Sequence, residues 1–498
     1  MHPALEVEDI LVLICSSLND NSLRYISGDA DVRSLAAFAR CSKVFVNPAL
    51  SRLWANIDLR TLLLVLPTCC ENPEHEGAWL TLGYVDPQAW TRFRAYAERV
   101  RTLYILANCR VQEGTFSTLA HYSGNQPLLP SLRRLHCFRW TLKEIFPAKI
   151  LIPPTLLSIE ILGNSKAKDE ETDDQHVLDL LDHTLSLSAS LEQIVLGGSL
   201  PAQLTKRLGS LSQLRDVTFS LQERWTDTDG FMSLSRLPHL SRLRLNVEDA
   251  DLAPPTLDIS TSFRSLVSLE VAGGLEVLTW LFNSISSDKL SSVTVVAKNR
   301  YSCQQWRDCL MALRSRHQRT TRHFSLTISE TELEEENQFG HDPAPLLEDL
   351  AAFSGLQTLY LMLHLSVVLH EEHLQRMARA WPAMEQLDFW CNPEPREDNP
   401  CITSLGYFAS QCPHLTSVSL PMDATMATSI QPKAAQQLLP SHPLSHLFIS
   451  GGAPIQDDSK VTHLLQTLFP HLTTLGVMCF EHRMGVLWQR VKRSLNVV

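Results

Sequence analysis

Fourteen segments of this chain share one spacing of apolar positions: apolar, two variable residues, apolar, one variable residue, apolar. The series opens at Val100, Leu103 and Ile105, followed by Leu132, Leu135, Cys137 and Leu156, Ile159, Ile161. It continues through Leu191, Ile194, Leu196, then Leu214, Val217, Phe219 and Leu240, Leu243, Leu245. Leu266, Leu269, Val271 and Leu290, Val293, Val295 come next, and a degenerate copy puts Thr321 ahead of Phe324 and Leu326. Leu356, Met384, Leu415, Leu444 and Leu472 lead the last five. The leading positions advance by 23 to 35 residues, about 29 on average, at the long end of the spacing of leucine-rich repeats. Alternation of the fourth and sixth positions puts both on one face of a strand. β-Branched stretches such as Val293-Thr294-Val295-Val296 favour strand over helix.

Between these segments lie stretches with helical spacing, for example Glu371 to Trp381 and Val461 to Phe469. Prolines at 130, 238, 382, 413, 443 and 470 stand just before strands, where they end a helix and extend the chain. One strand cannot bury its apolar face, but a parallel stack of them can. The expected fold class is therefore α/β: an irregular leucine-rich-repeat-like solenoid of about fourteen repeats over residues 99–498, its parallel strands backed by convex-side helices. Two acidic runs, Asp169 to Asp174 and Glu330 to Glu336, interrupt the pattern and read as solvated loops.

The N-terminal region follows a different pattern. Leu5 to Leu18 reads as an amphipathic helix with Ile10, Leu11, Ile14 and Leu18 along one face. A mostly polar break runs from Asn19 to Asp31. Helical spacing resumes at Leu35 to Phe38, and a third helix can start after Pro48 and carry Leu50, Leu53 and Trp54. The expected organisation is a three-helix module at 1–57, a helical linker at 58–98 and the solenoid at 99–498. Three short helices make too small a core to stand alone, so their apolar surplus predicts packing on the solenoid, on a partner protein, or on both.

His2-Pro3-Ala4-Leu5 through Ile10-Leu11 and Ile14, then Leu35-Ala36-Ala37-Phe38-Ala39-Arg40-Cys41-Ser42-Lys43 and Pro48-Ala49-Leu50 to Leu53-Trp54, resemble an F-box motif. The likeness is to F-box proteins of mushroom-forming fungi. Trp90, Phe93, Tyr96, Ala97, Val100, Arg101 and Leu103 are similar to the segment that joins motif and repeats in that group. The resemblance implies a substrate-recognition subunit of an SCF-type cullin–RING ubiquitin ligase. In that family the motif binds the Skp-type adaptor and the C-terminal domain captures a target protein. It implies adaptor contacts at Pro3, Leu5, Ile10, Leu11, Ile14, Leu18, Leu35, Phe38, Leu50, Leu53 and Trp54. Where the family usually has Pro-Glu before the Ile-Leu pair, this chain has Glu8-Asp9. That departure favours the alternative of a leucine-rich-repeat interaction scaffold with a degenerate F-box and no ubiquitin role.

On the solenoid, the third and fifth pattern positions are expected to face the concave side. They include Thr102, Tyr104, His136, Tyr360, Asp388 and Phe448, with Arg242 and Arg244 as candidates for acidic groups of a target and Trp390 flanking the same surface. Aromatic residues and arginine are the usual anchors of protein interfaces.

Composition narrows the function further. The 498 residues carry a formal net charge of -11, with no global field for nucleic acid or acidic lipid, so the expected partner is protein. Twelve scattered cysteines without a CxxC pair read as reduced core thiols, and with no charged n-region at the start the expected address is cytoplasmic or nuclear. No phosphate loop, HExxH or GxSxG motif occurs. Cys69, Cys70 and His75 lack metal-ligand spacing, and Cys303 and Cys309 read as helix and core residues. The reading expects no metal, no cofactor and no enzymatic activity.

Overall fold

The computed structural model describes residues 7–18, 29–72, 79–106, 109, 111–124, 126–138, 150–162, 170–187, 190–197, 207–220, 228–247, 262–298, 302–329, 344–363, 368–391, 399–425, 442–478 and 482–497. The chain divides into two compact units, Met1–Gln222 and Glu223–Val498.

The first unit opens with three helices, α1 (Glu8–Ser17), α2 (Asp29–Cys41) and α3 (Lys43–Leu53). A short strand β1 (Asn56–Asp58), a hairpin of β2 (Cys69–Asn72) and β3 (Trp79–Leu82), and a helix over Pro87–Ala97 follow. Parallel strands β4 (Thr102–Ile105), β5 (Arg134–Phe138), β6 (Ser158–Leu162), β7 (Gln193–Gly197) and β8 (Asp216–Ser220) then pair in chain order, with β1 on the outer side of β4. In the second unit nine parallel strands also pair in chain order. They are β9 (Arg242–Val247), β10 (Ser268–Gly273), β11 (Ser292–Lys298), β12 (His323–Ser329), β13 (Thr358–Leu363), β14 (Gln386–Cys391), β15 (Ser417–Pro421), β16 (His446–Ser450) and β17 (Thr474–Val477).

The fourteen pattern segments are thus strands β4 to β17, and the fold is a leucine-rich-repeat solenoid. The leading, fourth and sixth positions are buried, as at Leu356, Leu359 and Leu361, while most third and fifth positions lie half-buried or exposed on the open face; Thr102, Ser158, Asp216 and Ser419 are the buried exceptions, small or paired side chains covered by their neighbours. Strand entry follows one rule. Two successive amides donate to the carbonyl of the residue just before the preceding strand, as Arg322 and His323 do to Ser291 O and Gln357 and Thr358 do to Arg322 O. Arg101 and Thr102 repeat it on Ala55 O, which ties β4 to the residue just before β1.

The returning helices lie side by side and are bonded to one another. In the second unit Arg307 Nε of the Cys303–His317 helix lies 3.3 Å from Asp349 Oδ2 of the Ala344–Ala351 helix. Arg376 of the Glu371–Ala380 helix reaches Glu348 at 3.0 Å, and Tyr407 Oη donates to Glu371 Oε1 at 2.9 Å. Ser302 and Gln305 close a capping box at the start of the Cys303–His317 helix, which satisfies two amides that helix geometry leaves bare.

Three details differ from the sequence reading. The third helix starts at Lys43 rather than after Pro48, and Pro48 lies inside it. An interior proline forgoes one helical hydrogen bond. Here Pro48 and Ala49 are buried, and Phe45 stacks on Phe38 with centroids 4.4 Å apart, so packing holds the first turns helical. The acidic run at 169–174 does not read through as a loop: from Glu170 onward it opens the helix Glu170–Leu187, a place in a helix that acidic residue types favour. The other run, Glu330 to Glu336, lies outside the described residues, as do Leu5 and most of the Asn19–Asp31 break. The segment read as a helical linker also contains the β2–β3 hairpin, with Cys69 opposite Leu82 and Asn72 opposite Trp79.

Candidate functional site

The N-terminal helices bury few side chains. Their core is Cys15, Leu35 and Ala49, packed by Leu18, Phe38, Ala39 and Leu53, and Leu11 is buried as well. α1 is apolar nearly all round, from Ile10 to Cys15, and a helix of that kind is normally covered on every side. Here only the Leu11–Cys15 side is covered. Among the described residues thirteen large apolar side chains are exposed, and seven belong to this module: Val7, Ile10, Val12, Leu13, Val32, Val44 and Val46. Leu13 is 69% exposed.

Against the contacts expected from the resemblance, Ile10 is exposed while Leu11 and Leu35 are interior. Ile14, Leu18, Phe38, Leu50, Leu53 and Trp54 are half-buried, and Pro3 and Leu5 lie outside the described residues. Trp54 faces inward along the chain: its ring stacks on Tyr96 of the Pro87–Ala97 helix at 4.3 Å. Arg99 reinforces that joint by donating to Ser51 Oγ at 3.0 Å and Asn47 Oδ1 at 2.7 Å. The sequence reading passed over Val7, Val12, Leu13, Val44 and Val46 because they fall off the helical stripe that predicts a core.

The open face of the strands carries the other candidates. In the first unit Tyr104, His136 and Glu160 occupy one register row. Tyr104 stacks on His136 at 4.8 Å, and His136 Nδ1 lies 2.5 Å from Glu160 Oε2.

In the second unit a single row runs Arg244, Glu270, Thr294, Ser325, Tyr360, Asp388, Ser419, Phe448, Gly476. Arg244 Nε is 3.1 Å from Glu270 Oε2, so the chain itself supplies an acidic group to this exposed arginine. Arg242 sits one row away on the same strand. With strands about 4.8 Å apart, the arginines of β9 stand four strands, or about 19 Å, from Tyr360. The structure brings together Tyr360, Asp388 and Trp390 and sets Arg242 and Arg244 apart from them.

Asp388 is half-buried, and its desolvation pushes the carboxyl above the usual carboxylate range. Burial, then the Asp388 charge opposite, push the Tyr360 phenol up. Trp390 lies against Phe448 with centroids 4.7 Å apart and planes tilted by 39°. Ser419, between Asp388 and Phe448 in the row, is 2% exposed. Phe448 can lean over β17 only because position 476 is glycine: a Cβ there would stand 2.2 Å from Phe448 Cδ2.

Burial pushes the thiols of Cys137, Cys309 and Cys412 up to about 12 and that of Cys69 to about 11, which leaves them protonated and unreactive. Among the described residues no group of three or more His, Cys, Asp or Glu side chains could hold a metal ion, and no helix is long and apolar enough to cross a membrane.

No family model matches the chain, and no curated protein matches it. Solved structures do. A TLR13–ssRNA13 complex is 14% identical over 78% of this chain with a TM-score of 0.33, and the chain spans 48% of that protein's length. The leucine-rich repeat-containing protein LegL7 from Legionella pneumophila is 12% identical, with 66% of this chain and 93% of that one covered and a TM-score of 0.30. In the yeast Rad7 and Elc1 complex the identity is 14%, the coverage 78% and 90%, and the TM-score 0.35. The strand register and burial described above identify the repeat region by themselves as a leucine-rich-repeat fold.

Proposed function

We propose that this chain is a non-catalytic substrate-recognition subunit of an SCF-type cullin–RING ubiquitin ligase, acting in the cytoplasm or nucleus in ubiquitin-dependent protein catabolism. On this reading residues 1–57 are an F-box that binds the Skp-type adaptor, 58–98 connect it to the repeats, and 99–498 hold the target protein. The observation that carries the reading is the concentration of exposed apolar side chains on the N-terminal helices, in a segment whose residues resemble an F-box. Exposed apolar side chains in such number on one small module support a protein-binding role. Leu11 and Leu35 then support the module from within, and Ile10 and Leu13 lead its outer face. The repeats would raise the effective concentration of a bound target beside the ubiquitin-conjugating enzyme, so the gain is positional.

The test is co-purification of the full chain with the Skp-type adaptor, compared with the Ile10→Asp, Leu13→Asp variant. Both positions are exposed, so the variant should fold. Stoichiometric complex that the variant loses is the expected result, and no complex with the folded intact chain would overturn the reading. A second reading, a repeat scaffold with a degenerate F-box, is favoured by Glu8-Asp9 in place of the family's Pro-Glu. It predicts that restoring Pro-Glu creates adaptor binding that the natural chain lacks.

A further inference from the structure

We infer that the open face of strands β13 to β17 holds an arginine side chain of the bound target, stacked on Trp390 and paired with Asp388. This deepens the reading that the repeats dock a target and rests on it.

The argument is one of charge and shape. Asp388 and Trp390 are two residues apart on one strand, so both side chains rise from the same face about 7 Å apart. In the register rows through Asp388 and Trp390, the neighbouring strands contribute Tyr360, Met362, Ser419 and Phe448, none of them charged. Among the described residues no lysine or arginine forms an ion pair with Asp388, whereas Glu270, farther along its row, is matched by Arg244. A half-buried carboxylate without a counter-charge is costly to hold ionised, and an incoming cation removes that cost.

The surroundings select the kind of cation. The Trp390 and Phe448 rings, tilted against each other, present a π surface beside the carboxylate. A planar guanidinium stacks on such a surface while its donor fork reaches a carboxylate; an ammonium is a compact, strongly hydrated point charge. Gly476 fixes the arrangement by giving Phe448 room over β17.

The test uses the full chain and fluorescently labelled nonapeptide pools, each with one fixed central residue and mixed flanks. Fluorescence anisotropy compares pools fixed as arginine, as lysine and as citrulline, the neutral isostere of arginine. The arginine pool should bind about tenfold more tightly than the citrulline pool, a difference typical of one desolvated charge pair. Asp388→Asn should bring arginine down to the citrulline level. Equal binding of arginine and citrulline by the natural chain, or arginine selectivity that survives Asp388→Asn, would overturn the site. A lysine pool that matches arginine would overturn the guanidinium assignment. Arginine selectivity upholds the site even if the adaptor does not bind, while adaptor binding without arginine selectivity removes the site and leaves the ligase reading in place.

Discussion

Leu361 on β13 has Leu326 beside it on one neighbouring strand and Phe389 on the other, all three fully buried. Leu13 on α1 is as apolar and is mostly exposed. The strand array and the N-terminal helices differ in this throughout. Every unit of the array closes the core of the unit before it and opens a face for the next, so its apolar residues are consumed internally. The three helices close around Cys15, Leu35 and Ala49 and leave Val7, Ile10, Val12, Leu13, Val32, Val44 and Val46 outside. Apolar content alone therefore does not locate a core. What matters is whether the chain itself supplies the second surface.

Perturbations that strike one region and spare the other sharpen this contrast. The largest effect is expected from Leu361→Ala, which opens a cavity in the array and should cost about 3 kcal/mol or more. Thermal melting should drop clearly while adaptor co-purification at low temperature persists.

Acid comes next, and it should act on the array of the second unit. Burial holds His317 down to about 4, and His442 is lowered by burial as well. His442 is committed to a neutral tautomer: Nε2 donates to Cys412 O at 2.9 Å, and Nδ1 accepts from Leu444 N at 3.2 Å. Unfolded histidine gains its proton near pH 6.5, whereas folded His317 resists until about pH 4. Stability is thus complete above about pH 6.5 and falls as pH drops towards 4, by about 3 kcal/mol for His317 alone. Melting curves recorded between pH 7 and 4 check this, and His317→Gln should flatten the dependence.

Leu35→Ala should cost about 2 kcal/mol, confined to the module. It should weaken adaptor binding and leave the main melting transition in place, a separation that hydrogen exchange over residues 29–53 would register. The smallest effect on stability belongs to Leu13→Ser, within about 0.5 kcal/mol of neutral as for other surface changes, even though it should cost much of the adaptor affinity. If Leu13→Ser instead lowered the melting temperature strongly, the outer face of α1 would be core, and the contrast would fail.

The array was legible in the sequence because its signal is local and repeated. Each strand needs only three apolar residues at fixed spacing, and all fourteen segments are strands, including the one led by Thr321. The helices were legible where their spacing was regular, as at Glu371–Ala380 and Asp458–Leu468. Pro48 misled because its usual effect on a helix was outweighed by Phe45 stacking on Phe38. The acidic run misled because the same charges that favour a solvated loop also favour a helix start.

Of the open face, the parity of Tyr360, Asp388 and Phe448 could be read, but not their company. The pairing of Arg244 with Glu270 and the approach of Trp390 to Phe448 join residues 26 and 58 positions apart. Repeats of unequal length hide such neighbours until the register is known.

Within each compact unit that register is kept by the paired amides at strand entry, and they keep it in a particular way. The bond that starts a strand refers only to the strand before it and never to the length of chain in between. Gln357 and Thr358 find Arg322 O after a long excursion as readily as Ser291 and Ser292 find Val267 O after a short one. A unit can therefore gain or lose residues in its return path without moving any side chain of the face out of its row. Lineages carrying this architecture are free to remodel the rim of the binding surface by insertion while the rows beneath it stay aligned, so the specificity of the rim and that of the face can evolve separately.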